Sequence, residues 1–459
     1  MVLRLQQRSF LLYQLAIASL VLSACAPLIP IQVSSTQLPA PSVQTVVSPT
    51  ATPNLAILSD EQIRGTQITL WHGLEGEYAK SLEALVAEWN ITNPYEIKIE
   101  VVGYGNMRNL EAALDIDPGQ AYPQLGLMLP SQAQVFSGKS IDLSPFMRDG
   151  NIGLSSDLFV PAMLPLNLNG DQILSIPFAK SVRVVVENRD FAADLGIKSS
   201  AQSLDEFIEQ ACIGNQYWRL DEDPTNDGLG GWALDTDVNW QTPLSLLVAG
   251  QPQNTTLMSN LSQPEVSAIF GKLFKMRETG CSWLPSQGTG QQQFAERKAI
   301  FVSLDLLQVA ELRSEMATRN NPDQLNAIAY PGATPMLIPY GPDLVVFRST
   351  PQQQFASWLF IRWLLQDSQQ QRWAQQTGLL PVTRHVLENS RPVGQDLLVK
   401  QIWGLILIQN TSPIQMIANG EKANWIIGDG YYSFNRYFPY YEANNLIDDL
   451  NNHLEELTK

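Results

Sequence analysis

Between Gln67 and Leu129 the chain switches repeatedly between two hydrophobic periods, and few folds accept that pattern. "QITLW" (Gln67–Trp71) alternates apolar Ile68 and Leu70 with polar neighbours, as a strand does. Glu77–Asn93 then carries Leu82, Leu85, Val86 and Trp89 along one helical face, with Glu75 and Glu77 near its positive N-terminal end. "NPY" stops that helix, and "IKIEVV" (Ile97–Val102) alternates again. A shorter helix is expected around Arg108–Asp115, and "LGLML" (Leu125–Leu129) suits a buried strand. Strands alternating with helices imply the α/β class, a parallel sheet with crossover helices. Ligands of such sheets sit outside the carboxyl ends of the strands. Here "WHGLEG" and "PSQAQ" leave those ends. No internal sequence repeat is visible.

The first residues have a different character. Arg4 and Arg8 are the only charges before Cys25, and Phe10–Leu22 is almost entirely apolar. That run is too short for a helix spanning a hydrocarbon core of about 30 Å. A charged start, a short apolar run and small residues before a break read as a secretory signal. Leu22-Ser23-Ala24-Cys25 resembles a lipobox, so residues 1–24 are expected to be a lipoprotein signal peptide and Cys25 the lipidated residue. Ala26–Ser59 has no charge and six prolines. Such a segment buries too little apolar surface to offset its ordering entropy, so 25–64 is expected to be a lipid-anchored, disordered linker. A second reading makes "QTVVS" an edge strand on the folded body.

The remaining chain exceeds the usual length of one domain. Its 45 acidic and 29 basic residues, formal charge −16, argue against nucleic acid and against an anionic membrane surface as partner. No later apolar run approaches eighteen residues, so no transmembrane helix is expected. Cys212 and Cys281 remain beyond Cys25, and an even pair in an exported chain suggests a disulfide; two separate buried thiols are the alternative. His72, His385 and His453 are too scattered to complete a zinc site with them.

Four stretches carry a resemblance to extracellular solute-binding protein family 1, the lipoprotein sugar-binding receptors of carbohydrate ABC transporters. "ITLWHGLEGEYAKSLEALVAEWN" is similar to the family's opening strand, Trp-containing loop and helix. "SIPFAKSVRVVVENRDFAADLGI" (Ser175–Ile197) is similar to its first interlobe crossing. "SLDEFIEQAC" with "TGCSW" resembles second-lobe helices that carry a cysteine pair in some members. Ile338–Val386, with its Gly-Pro turn, strand, two helices and Gly-x-x-Pro-Val, resembles the return to the first lobe. The likeness runs from about Gln67 to about Val386 and fades beyond Arg391. It implies a two-lobed, type II periplasmic-binding-protein-like fold, each lobe a sheet flanked by helices, with a ligand cleft between them. Residues 65–181 and 337–386 would form lobe 1. Residues 182–336 would form lobe 2, joined by 387–459 with the C-terminal helices. A carbohydrate ligand, ABC permease subunits as partners, membrane attachment through the lipid on the extracytoplasmic face, a monomer and no cofactor complete the implication.

The same resemblance places ligand-facing loops at Trp71 and His72, Ser131, Trp232, Trp240, Ser303 and Asp305, and Tyr340. Flat aromatic rings suit pyranose C–H faces, and hydroxyls need a few placed polar partners. For each position, packing or a turn is the competing role. Within Ile338–Val386, Phe355, Trp358, Leu359, Trp363 and Leu365 recur at helical spacing and read as core, Ser368 reads as a helix cap, and Gly378 as a helix end. "DEDPTNDGLGGW" (Asp221–Trp232) spaces Asp223, Thr225 and Asp227 like a calcium loop, but Leu234 stands where the bidentate Glu belongs, so an acidic turn without metal is expected. No nucleophile elbow or metalloprotease motif is present, and no acidic pair is singled out, so no enzyme is expected. A sensory or structural lipoprotein and an exported glycoside hydrolase are the alternatives. The aromatic tail Trp425–Tyr441 departs from the family's pattern.

Overall fold

A computed structural model describes residues 58–115, 122–164, 172–250, 264–286, 289–409, 420–440 and 443–456. Residues 1–57, with the expected signal, Cys25 and "QTVVS", lie outside them.

Among the described residues ten strands form two sheets of five. They are β1 Gln67–His72, β2 Lys98–Gly103, β3 Leu125–Met128, β4 Ile176–Pro177, β5 Arg183–Asn188, β6 Gly230–Ala233, β7 Ser282–Trp283, β8 Ala299–Asp305, β9 Leu325–Ile328 and β10 Asp343–Val346. The first sheet runs β2-β1-β3-β10-β4 and the second β7-β6-β8-β5-β9. In each, three strands are parallel and the fourth is antiparallel to both neighbours. That fourth strand is the one the chain enters directly from the other lobe. β5 begins where the chain leaves lobe 1, and β10 begins where it returns. Arg183 pairs with Asp305 at the carboxyl end of β8, and Asp343 pairs with Met128 at the carboxyl end of β3. The crossings therefore deliver their first residues to the edge where the parallel strands end.

The expected α/β alternation is present. The first long helix is Gly76–Thr92, with Leu82, Leu85, Val86 and Trp89 buried against the sheet. A shorter helix, Met107–Asp115, follows β2. The cores are separate: one gathers β1, β3 and helix Pro351–Leu364, a smaller one gathers Trp71, Leu110, Val345 and Phe347, and the third gathers β5, β6, β8 and the C-terminal helices Leu397–Ile408, Gly420–Arg436 and Ala443–Glu456.

Three details differ from expectation. Asp60–Ile63 forms a helical turn with Ile63 fully buried, so order begins before the end assigned to the linker. Apolar Leu58 and Ile63 have a sheet-backed surface to cover, which outweighs the ordering cost there. The helix Asp367–Thr377 is preceded by Gln366 rather than capped by Ser368, whose hydroxyl instead donates to Gln369. Gly378 does end it, in the left-handed conformation at φ 74°. Trp363 is only half-buried, whereas Trp358 is fully buried and donates its indole N–H to the Ile152 carbonyl at 2.9 Å.

Candidate interlobe binding site

Three segments link the lobes. Residues 178–183 and 338–343 run side by side, with Ser181 and Tyr340 exchanging both backbone hydrogen bonds at 2.9 Å. The third touches them where the Leu380 N–H donates to the Lys180 carbonyl at 2.8 Å. On the lobe 1 side, Lys180 Nζ lies 2.6 Å from Asp343 Oδ1 and donates to the Gly341 carbonyl at 2.7 Å. Ser175 Oγ donates to the other carboxylate oxygen at 2.8 Å.

On the lobe 2 side stands a second polar knot. Asp305, the last residue of β8, is buried. Its Oδ1 accepts from Ser181 Oγ and from the Leu307 N–H, both at 2.9 Å, and its Oδ2 accepts from the Tyr340 hydroxyl. Burial first, and the Asp305 carboxylate second, hold the Tyr340 hydroxyl well above the usual phenol range, so it stays a donor. One residue bonded across the crossing thus ties both interlobe strands to lobe 2.

Arg183 begins β5, and its Nη1 lies 2.6 Å from Asp235 Oδ1 just beyond β6. Burial alone would lower the Arg183 pKa; the Asp235 carboxylate, together with Tyr330, Tyr340 and Asp305, more than reverses this. Thr242 Oγ1 donates to Asp235 Oδ2 at 2.6 Å and lies 2.8 Å from the Tyr330 hydroxyl, which must then be the donor of that pair. A cavity of about 250 Å³ opens here, lined by Arg183, Asp235, Asp237, Ser303, Gln308 and Glu311 among others. Beside it, half-buried Trp240 meets Tyr340 edge-on, ring centroids 6.1 Å apart. Tyr78, near the start of the first lobe 1 helix, has its phenol pKa raised by burial and by the Asp305 charge, which places that helix end within electrostatic reach of lobe 2.

Of the residues the sequence singled out, Trp240, Ser303, Asp305 and Tyr340 converge on this junction. Three others are interior. Trp232 is fully buried, edge-on to Phe207 at 5.2 Å, and donates its indole N–H to Ser303 Oγ at 3.0 Å. Trp71 is 9% exposed and packs on Tyr104 at 5.1 Å. His72 is buried, its Nδ1 accepting from the Leu74 N–H at 3.1 Å, and burial lowers its pKa, so the ring is neutral. In this structure the three occupy packing positions: Trp232 lies in β6, whose residues are all buried, and Trp71 and His72 lie at the end of β1, where both faces are covered. Ser131 lies in the first turn of the short helix Pro130–Val135. Asp223 spends its carboxylate on Thr225, accepting from its N–H at 2.9 Å and its hydroxyl at 2.6 Å, as an acidic turn does. Cys212 and Cys281 form a disulfide.

Arg183, Asp235, Thr242 and Tyr330 escaped the sequence reading. One signal for Arg183 was available: it is the lone charge in "SVRVVV", and a charge inside a buried strand demands a partner.

Two α/β lobes are thus joined by paired crossing segments, with polar knots and an aromatic edge at the junction. The chain belongs to the bacterial extracellular solute-binding protein family, whose sequence profile matches residues 84–398. Among characterised sequences it is similar to the sn-glycerol-3-phosphate-binding periplasmic protein UgpB of Salmonella typhimurium, 29% identical over 137 residues; these are 29% of this chain and span 31% of that relative's length. Among solved structures it is similar to the sugar-binding protein MalE from Xanthomonas citri, with TM-score 0.69, 17% identity, and coverage of 85% of this chain and 97% of that one. UgpB from Mycobacterium tuberculosis in complex with glycerophosphocholine gives TM-score 0.60 at 16% identity, covering 85% and 98%. Among the described residues no helix is long and apolar enough to cross a membrane.

Proposed function

We propose that this chain is the substrate-binding lipoprotein of an ABC import system. It captures a carbohydrate in the interlobe cleft by hinge closure and delivers it to the permease without chemical change. The observation that supports this most directly is the junction itself. Trp240 and Tyr340 offer aromatic surface beside the Arg183–Asp235 pair, Ser303 and Asp305, a mixture that suits a polyhydroxylated ring. The family and the likeness to a protein described as sugar-binding support the class. Cys25 would carry the lipid, and the protein would act as a monomer on the extracytoplasmic face.

The test is titration of the full chain, purified in detergent, with a panel of mono- and oligosaccharides. Binding should shift tryptophan emission, and the sugar should be recovered unaltered. Trp240→Ala should weaken binding about thirtyfold, as loss of a central aromatic anchor of about 2 kcal/mol does. Trp232→Ala should instead cost about 3–5 kcal/mol of stability, because its cavity opens inside the lobe 2 core. A panel without any binding sugar, or turnover of one, overturns the proposal.

The aromatic C-terminal helix bears on the same wall. A Cβ at Gly428 would stand 2.7 Å from the Asn239 carbonyl oxygen and 3.0 Å from Trp240 Cα. Gly428→Ala should therefore displace the loop that carries Trp240, costing about 1–3 kcal/mol of stability by overpacking. It should also weaken sugar binding in the parent chain but add nothing in a Trp240→Ala chain, a non-additivity that titration of the four proteins would show. Equal affinities of parent and Gly428→Ala would mean that the helix does not set the loop.

A further inference from the structure

We infer that the cleft selects against negatively charged solutes, so that its carbohydrate is uncharged or amine-bearing and not a phosphate ester. This rests on the binding-protein reading above and concerns the same cavity. A phosphate is held by cations and N–H donors that are free to turn toward it. Among the described residues lining the cavity, Arg183 is the one cation, and its charge is already paired: Nη1 lies 2.6 Å from Asp235 Oδ1, with both side chains more than nine-tenths buried. Asp235 is in turn held in place by Thr242, so turning Arg183 toward a new anion would strand a buried carboxylate. The other charges on the lining, Asp237 and Glu311, are negative and exposed. Asp305 adds a further buried carboxylate at the same junction, with its oxygens facing hydroxyls and an N–H rather than a cation. A phosphate dianion entering this space would meet the like charge of Asp237 and Glu311. A hydroxyl or an ammonium would meet acceptors.

The inference separates this chain from the relative named for glycerol 3-phosphate, which it matches over 31% of that protein's length, and from the one described with glycerophosphocholine, which it resembles in fold alone.

The experiment is calorimetric titration of the full chain in detergent with maltose, glucose, glucosamine, glucose 6-phosphate and sn-glycerol 3-phosphate, each at low and at moderate salt. At least one uncharged or amine-bearing sugar should bind, and both phosphate esters should bind at least tenfold more weakly. The gap should narrow as salt screens the exposed carboxylates, since the Debye length is only about 10 Å at 0.1 M. It should also narrow several-fold in the D237N/E311Q double variant, whose changes are at exposed positions. Either phosphate ester binding as tightly as the best uncharged sugar overturns the inference while leaving the binding-protein reading intact. Failure of every probe to bind overturns the carbohydrate reading and this inference with it.

Discussion

Replacing Lys180 by methionine should cost about 3–5 kcal/mol of stability, the usual result of removing one partner from a buried ion pair. The side chains of Lys180 and Asp343 are 5% and 0% exposed. Their 2.6 Å contact is ionic rather than an aligned hydrogen bond, so Asp343 Oδ1 has no other partner to fall back on. Without the ammonium, the carboxylate keeps only the Ser175 hydroxyl. Denaturant unfolding would show a lowered midpoint with little change of slope. The double variant Lys180→Met/Asp343→Leu should recover most of the loss, because it removes the stranded charge. A single-variant loss below about 1 kcal/mol would mean that water reaches Asp343 and that the pair is not sealed in the hinge.

Loss of the Cys212–Cys281 disulfide should be of similar size. The two residues are 69 positions apart, and in the chain-entropy account a closed loop of that length stabilises the native state by about 4 kcal/mol. Cys212 lies on helix Leu204–Arg219 and Cys281 directly before β7, so the bridge ties a covering helix to the edge strand of the second sheet. Cys212→Ala/Cys281→Ala should unfold at clearly lower denaturant than the oxidised parent and match the parent under reducing conditions. A parent without any shift on reduction would show that the lobe holds its edge without the bridge. Thiol counting in the unreduced, unfolded parent should find neither cysteine free.

How much of this was legible in the chain differs between lobes and between kinds of contact. In lobe 1, period alone located β1, the helix Gly76–Thr92 and β2 within a residue or so, because each element has one polar face that keeps the period visible. Gly378 was legible because a left-handed helix end suits glycine. The errors share a cause. β6 is buried on both faces, so "GGWA" shows no alternation, and the burial of Trp232 could not be told from a place on the cleft wall. The burial of Trp71 and His72 at the end of β1 was hidden for the same reason. Ser368 was mistaken for a cap because a hydroxyl one residue inside the helix looks the same in sequence as one at its start. The Arg183–Asp235 pair joins residues 52 apart through a strand order that no local pattern encodes. Apart from the antiparallel crossing strand the two sheets share one strand order, yet the sequences show no repeat, since that order is a property of backbone pairing and crossover rather than of particular side chains.

The threading of the strands also sets the order in which a growing chain could complete each half. β10 lies between β3 and β4, so the first sheet stays split until residue 346 has been made. The second sheet is continuous in the chain and has all its strands by residue 328. Helix Pro351–Leu364 and the turn through Val382 then close the first core. Only afterwards do Leu398, Ile402, Ile427 and Leu450 cover the second. The half begun first therefore acquires its sheet second, and a chain that stopped near residue 390 would carry a finished lobe 1 beside a lobe 2 whose strand β9 and helices Gln241–Ala249 and Pro264–Glu278 lack their apolar cover.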